Sequence, residues 1–196
     1  MSEVRTTFRL KTGDPAPDFS LPDPDGQTHS LKDLMGGKGT LIAFVCNHCP
    51  FVIHLADALK SFANDAADLG VNTVAISSND VENYPQDRPE KMKEFADEHG
   101  WEFPYLYDES QDVALAYGAA CTPDFFLFDA EGQLFYTGQF DDSRPNKGTP
   151  DGKDLREALK LLVSKQSPPD KVYPSSGCNI KWKPDVKPEW WNAGNA

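Results

Sequence analysis

Cysteine is scarce in this chain: four thiols, Cys46, Cys49, Cys121 and Cys178, serve 196 residues. That is too few for disulfides to act as its main scaffold, so in a reducing compartment these cysteines are expected to be catalytic or metal-binding. Positive charge is also short, with 19 Lys and Arg against 31 Asp and Glu and a net charge of -12. No stretch gathers enough of the basic residues to cover a phosphate backbone, which excludes nucleic acid as an expected partner. Long apolar runs are missing. The longest, Leu41 to Cys46, is far below the roughly 20 residues of a membrane-spanning helix, so no membrane partner is expected. Met1 to Asp14 holds charges and polar residues where a secretory signal places a continuous apolar stretch, and the cytoplasm is the expected compartment. Internal repeats are absent as well.

What remains is ordinary globular material. Hydrophobic residues make up 39% and charged ones 26%, which permits a core and argues against whole-chain disorder. The length suits one domain, expected over residues 1–165 with an N-terminal extension over 1–38, followed by a Pro- and Trp-containing tail over 166–196.

Hydrophobic spacing predicts the elements. Phe19 to Leu21 and Thr28 to Leu31 flank Pro24, Asp25 and Gly26 and read as a small hairpin. Thr40 to Val45 is a continuous apolar run and reads as a strand buried on both faces. From Pro50, the residues Phe51, Leu55, Leu59, Phe62, Ala66 and Leu69 recur at helical spacing up to Gly70. Val71 to Ile76 is the next strand, Ser77 to Asp87 a polar loop, and Pro89 to His99 a helix closed by Gly100. Phe103 to Tyr107 follows as a strand, and Ser110 is the expected cap of a short helix ending at Gly118. Phe125 to Phe128 and Leu134 to Thr137 form a second hairpin, and Asp151 to Val163 the last helix. Alternating strands and helices imply an α/β fold with right-handed crossovers. The tail is expected to be mostly irregular, pinned to the domain by Trp182, Trp190 and Trp191.

The informative local feature is C-x-x-C at Cys46 and Cys49, where a buried strand hands over to a helix. Residues three apart in the first turn of a helix are close enough to form a reversible disulfide. The thiolate is the attacking species, and at a free pKa near 8.5 only about 3% of a cysteine is ionised at neutral pH. Lowering the pKa to 7 takes roughly 2 kcal/mol, of which a helix N-terminus supplies about 0.3 to 1. Cys46, taken as the more exposed thiol, is the expected nucleophile; Cys49 is the expected resolving thiol, and His48 can stabilise a thiolate.

With F-V-C-N-H-C-P at Phe44 to Pro50 and C-T-P-D-F-F-L-F-D at Cys121 to Asp129, the sequence resembles the thioredoxin-like superfamily, and within it the peroxiredoxin-like, AhpC/TSA-related proteins. The resemblance spans about Lys11 to Val163. It implies a thioredoxin-like fold, a central mixed β-sheet flanked by helices with an N-terminal β-hairpin, and a cis peptide between Thr122 and Pro123 lying against the redox centre with a backbone edge for substrates. Asn47, His48 and Thr122 are the residues expected to bind substrate or tune the thiols, with Pro123 beside Cys46 and Cys49 in the catalytic set. Cys121 and Cys178 are candidate additional redox thiols. Cys178 lies in G-C-N-I-K-W-K, Gly177 to Lys183, a segment that also resembles the branch, and it is expected either to pack as an ordinary cysteine or to fold back toward Cys121 or Cys46.

The sequence departs from both parents. Peroxiredoxins place Thr where Cys46 stands, a peroxidatic cysteine where Cys49 stands, and an Arg near the start of the third core strand. Here that place holds Thr122-Pro123-Asp124, with Arg88 and Arg144 distant in sequence. Thioredoxin's Trp before the motif and Gly-Pro within it are replaced by Val45 and Asn47-His48, and Leu41 to Val45 lacks a buried acid to take the second thiol's proton. The leading expectation is a thiol-disulfide oxidoreductase without a cofactor. Its expected partners are a disulfide-containing protein or a small-molecule thiol, and an unidentified reductase. A thiol peroxidase acting on peroxide is the first alternative. A copper- or zinc-binding module using Cys46, Cys49 and His48 or His54 is the second, although zinc normally takes four ligands. His29 and His99 have no ligand pattern around them, and Asp141-Asp142 and Glu94 to Glu98 read as solvated faces.

Overall fold

The computed structural model describes residues 3–192. At its centre lies β4 (Gly39–Phe44), every residue of which is buried. It pairs in parallel with β5 (Val71–Ser77) and antiparallel with β8 (Asp124–Asp129). With β6 (Tyr105–Tyr107) and β9 (Leu134–Gly138) the sheet order is β6-β5-β4-β8-β9, the mixed sheet expected for a thioredoxin-like fold.

Strand alternation divides the core into two layers. Leu41, Ala43 and Val45 face α2 (Pro50–Asp68), α3 (Pro89–His99) and α5 (Lys153–Val163), together with Phe125 and Leu127. Ile42 and Phe44 face the other way, toward α4 (Asp112–Tyr117), with Phe126 and Phe128. On this second face Tyr117 packs edge-on against Phe126 and Phe128. The hairpin of β2 (Ser20–Pro22) and β3 (Thr28–Ser30) and the short α1 (Leu31–Leu34) cover part of it. Gly100 closes α3 in the left-handed conformation that glycine adopts without strain, at φ 62°.

Two helix starts draw on buried carboxylates that precede them in the chain. Ser110, the expected cap, stands one residue before the N-cap position and accepts from the Asp112 N–H at 3.2 Å, while the buried Asp108 accepts from the backbone N–H groups of Val113 and Ala114 at 3.4 and 2.9 Å. Asp141, expected on a solvated face, is buried and accepts from the N–H groups of Asp151 and Gly152, both at 2.7 Å, just before α5. Each satisfies donors that a helix start leaves without partners.

The tail contains one regular element in an otherwise irregular path. β10 (Ser176–Asn179) lies between β1 (Glu3–Arg5) and the two-residue β7 (Cys121–Thr122), antiparallel to both. Ile180 and Trp182 continue into the second core layer, where Trp190 and Trp191 also pack. Strands β1 and β10, from opposite halves of the sequence, therefore meet beside the segment that precedes β8.

Candidate active site

Strand β4 ends at Phe44, and Cys46, Asn47 and His48 form a bend before the helix. Pro50 occupies the first helical position and Cys49 is the N-cap, its carbonyl accepting from Val52 and Ile53 at 3.0 Å each. Proline has the φ of a first-turn residue and no N–H to lose, so it sets the helix start after the motif. The motif therefore precedes the first turn, and Cys49 is the thiol nearest the helix N-terminus. A second expectation is corrected too: Cys46 is 1% exposed and Cys49 0%, so exposure does not make Cys46 the more accessible thiol. Asn47 and His48 between them are only half-buried and form the outer side of the site.

Both thiols meet Thr122, whose peptide bond to Pro123 is cis. Cys46 Sγ is 3.4 Å from Thr122 Oγ1, and the Cys49 thiol donates to the Thr122 carbonyl at 3.1 Å. Cys46 and Cys49 also pack in the same buried cluster. The dithiol and Thr122, separated by 76 residues from Cys46 and 73 from Cys49, form one cluster.

The polar loop before α3 supplies a carboxylate. Asp87 is fully buried; its Oδ1 accepts from the Asn47 N–H at 2.8 Å, and its Oδ2 meets His48 Nδ1 at 2.6 Å and accepts from Asn79 Nδ2 at 2.8 Å. Cys46 Sγ, a ring nitrogen of His48 and a carboxylate oxygen of Asp87 lie within 4.8 Å of one another. The Tyr105 hydroxyl donates to Asn47 Oδ1 at 2.9 Å, and the His48 ring stacks on Tyr84 at 5.9 Å between centroids. An acid thus stands beside the dithiol, delivered by a loop rather than by β4.

Cys178 completes the cluster. In the β7–β10 pairing it is the register partner of Thr122, while Asn179 faces Cys121. Side chains alternate along strands, so Cys178 shares the Thr122 face and Cys121 points to the other. Accordingly Cys178 lies in the core layer that holds Cys46 and Cys49, opposite the same Thr122 whose carbonyl accepts from the Cys49 thiol. Cys121 packs with Val4 and Ala120, its thiol donating to the Pro123 carbonyl at 3.4 Å. All four cysteines are thiols in this structure.

The cluster divides its acidity unevenly. Burial pushes the Cys49 thiol up, but hydrogen bonds from Cys178, Cys46 and Thr122 outweigh it and bring the thiol well below its ordinary range. Burial, the thiolate favoured at Cys49 and the Asp87 carboxylate push Cys46 up. Its contact with Cys49, followed by burial, pushes Cys178 up as well. Cys121 is raised chiefly by burial. The balance of these contacts favours a single charge in the cluster, and among the four thiols it favours Cys49, at the head of α2.

Other expected donors lie elsewhere. His54 is paired with Ser143 Oγ at 2.9 Å, and His29 and His99 with Asp23 and Asp57 at 2.8 Å each. The cysteine–histidine set weighed for a metal is replaced, among the described residues, by Cys46, His48 and Asp87, three donors where structural zinc takes four. Arg144 folds back to line a small cavity with Pro123 and His54, but its guanidinium is held by the carbonyls of Asp141 and Ser143 and by Gln139. Asp87, Tyr105 and the placement of Cys178 against Cys49 were not legible from local spacing. The acid in Ser77–Asp87 had no motif around it, and strand pairing over more than 50 residues carries no local signal.

Comparison with known proteins agrees with this geometry. Residues 12–137 match the model of the AhpC/TSA family. Peroxiredoxin Bcp of Escherichia coli K12 is 30% identical over 145 residues, covering 68% of this chain and 86% of that protein. The thiol-disulfide oxidoreductase ResA of Bacillus anthracis is 27% identical over 133 residues, covering 64% of this chain and 68% of ResA. The crystal structure of an uncharacterized conserved protein from Geobacillus kaustophilus superposes with a TM-score of 0.90 at 50% identity, covering 94% of this chain and 98% of that one.

Proposed function

The chain belongs to the AhpC/TSA family and is a thiol-based redox enzyme, and from that premise we propose that it exchanges disulfides through Cys46 and Cys49. The observation that carries the reading is the convergence of the two motif sulfurs on Thr122, at 3.4 and 3.1 Å. Cys46 attacks a substrate disulfide. One substrate sulfur leaves as a thiol, and a mixed disulfide forms on Cys46. Cys49, already favoured as a thiolate, then attacks Cys46 Sγ, forms the internal disulfide and releases the second substrate thiol. The substrate is reduced by two electrons and the dithiol oxidised by two.

Cys46 must lose a proton to attack, and the His48–Asp87 pair beside it is the acceptor. Asp87 orients the ring through Nδ1, as a carboxylate orients histidine in nucleophilic sites generally. The substrates fitting this chemistry are a disulfide-containing protein or a small disulfide, with a separate reductase restoring the dithiol. No described helix is long and apolar enough to cross a membrane, and the reducing cytoplasm is the compartment that would keep these thiols reduced.

A second reading, peroxide reduction at Cys49, is favoured by the lowered pKa and helix-end position of that thiol. Against it, the Arg144 guanidinium is occupied elsewhere. Stopped-flow reaction of the reduced protein with glutathione disulfide separates the two. One disulfide consumed per chain, with the rate lost in Cys46→Ser, supports exchange. A Cys46→Ser protein as fast as wild type overturns the roles. Peroxide consumption that survives Cys46→Ser and vanishes in Cys49→Ser establishes the peroxidase instead.

A further inference from the structure

The backbone beside Thr122, against which both motif thiols pack, is not free: β10 is already paired with it. The approach is close. A Cβ added to Gly177 would lie 2.0 Å from the Thr122 carbonyl oxygen and 3.2 Å from Pro123 Cδ. The tail is held there from several directions. The Lys181 N–H donates to Asn79 Oδ1 at 2.9 Å, and Gln111 Nε2 donates to the Lys181 carbonyl at 2.9 Å. Ser175 Oγ donates to the Pro123 carbonyl at 2.7 Å, and Ser176 bonds Glu3 of β1. The strand thus sets Cys178, a buried thiol with no part in the exchange described above, across from Thr122, which also receives Cys49, and in the same core cluster as Cys49.

We propose that Cys178 is a third redox thiol of this enzyme, exchanging with the Cys46–Cys49 disulfide to form an internal Cys49–Cys178 disulfide that locks the tail strand to the head of α2. The inference rests on the dithiol reading of Cys46 and Cys49. The Cys178 thiolate attacks Cys49 Sγ, the Cys49–Cys178 bond forms, and the Cys46–Cys49 bond breaks. Cys46 leaves as a thiolate and takes up the proton that Cys178 released. No electrons enter or leave, so no further oxidant is required. The principal opposition to ionising Cys178 is its contact with Cys49, where the charge of the reduced cluster resides, and that charge is gone once Cys49 is in a disulfide. The exchange returns Cys46 to the reduced state beside His48 and Asp87. Cys121, on the opposite face of β7, takes no part.

The test is oxidation with one equivalent of diamide, acid quench, alkylation and peptide mapping. Cys46 and Cys49 share the tryptic peptide Gly39–Lys60, whereas Cys178 lies in Val172–Lys181, so the proposed bond joins two peptides that the motif disulfide does not. Cross-linked Gly39–Lys60 and Val172–Lys181 are expected in oxidised wild type, and in most molecules of monomeric Cys46→Ser and Cys46→Ala. The cross-link should vanish in Cys178→Ser, which keeps the Cys46–Cys49 disulfide. Wild type that forms the motif disulfide while Cys178 stays fully alkylated, with only intermolecular products in both Cys46 variants, overturns this inference and leaves dithiol exchange standing. Failure to form any Cys46–Cys49 disulfide with glutathione disulfide overturns the dithiol reading itself.

Discussion

His48 Nδ1 lies 2.6 Å from the fully buried Asp87 Oδ2, which ties the middle of the C-x-x-C motif to a loop almost 40 residues away. The pair has two opposing effects on Cys46. It offers a place for the proton to go, and its negative charge makes the Cys46 thiolate harder to form. Asp87→Asn keeps the shape and removes the charge. The Cys46 alkylation midpoint, compared between Cys49→Ser and Cys49→Ser with Asp87→Asn, should move to lower pH. The rate of disulfide exchange at neutral pH should nevertheless fall about 10²-fold, the loss typical of removing a general base. A purely structural Asp87 would leave the alkylation midpoint where it was.

Gly177 is expected to tolerate no side chain, because the atoms a Cβ would meet are backbone atoms of Thr122 that cannot rotate away. Gly177→Ala should lift β10 from β7 and cost about 1 to 3 kcal/mol, the range for overpacking a close contact. Urea denaturation reads the cost, and faster alkylation of Cys178 reads the displacement. An unchanged midpoint together with unchanged Cys178 protection would refute the close approach.

Asp124, next to Pro123, carries a buried carboxyl whose pKa is pushed up to about 7 by burial, against hydrogen bonds from Thr6 and the backbone of Ala120. Between pH of about 4 and about 7 the folded chain holds a proton that the unfolded chain has released. Stability contributed by this group is therefore present at the acid end and declines as pH rises through the window, by a few kcal/mol at most. Asp124→Asn cannot ionise. Its unfolding free energy, measured from pH 4 to 8, should lack that decline, and a slope equal to wild type would show that Asp124 is ionised in the folded state.

The architecture was legible where its causes are local. Helical spacing from Phe51 to Leu69, with Pro50 before it and Gly70 after it, marks α2, and the buried run ending at Phe44 marks β4. Pro89 and Gly100 bracket α3 to the residue. The parts that Asp108 and Asp141 play at the starts of α4 and α5 were not legible, because both carboxylates reach in from outside the helices through bonds that no spacing rule encodes.

The same division runs through the site. Sequence alone determined that two thiols stand three residues apart between a buried strand and a helix, because apolar runs, Pro50 and the cysteines are themselves neighbours along the chain. Only the tertiary structure decided what surrounds them: which sulfur holds the charge, that Asp87 stands beside Cys46, and that Cys178 reaches Cys49 rather than Cys121. Those outcomes follow from loop placement and from the alternation of faces in a strand pairing between Thr122 and Cys178, and such long-range register is set by packing of the whole core.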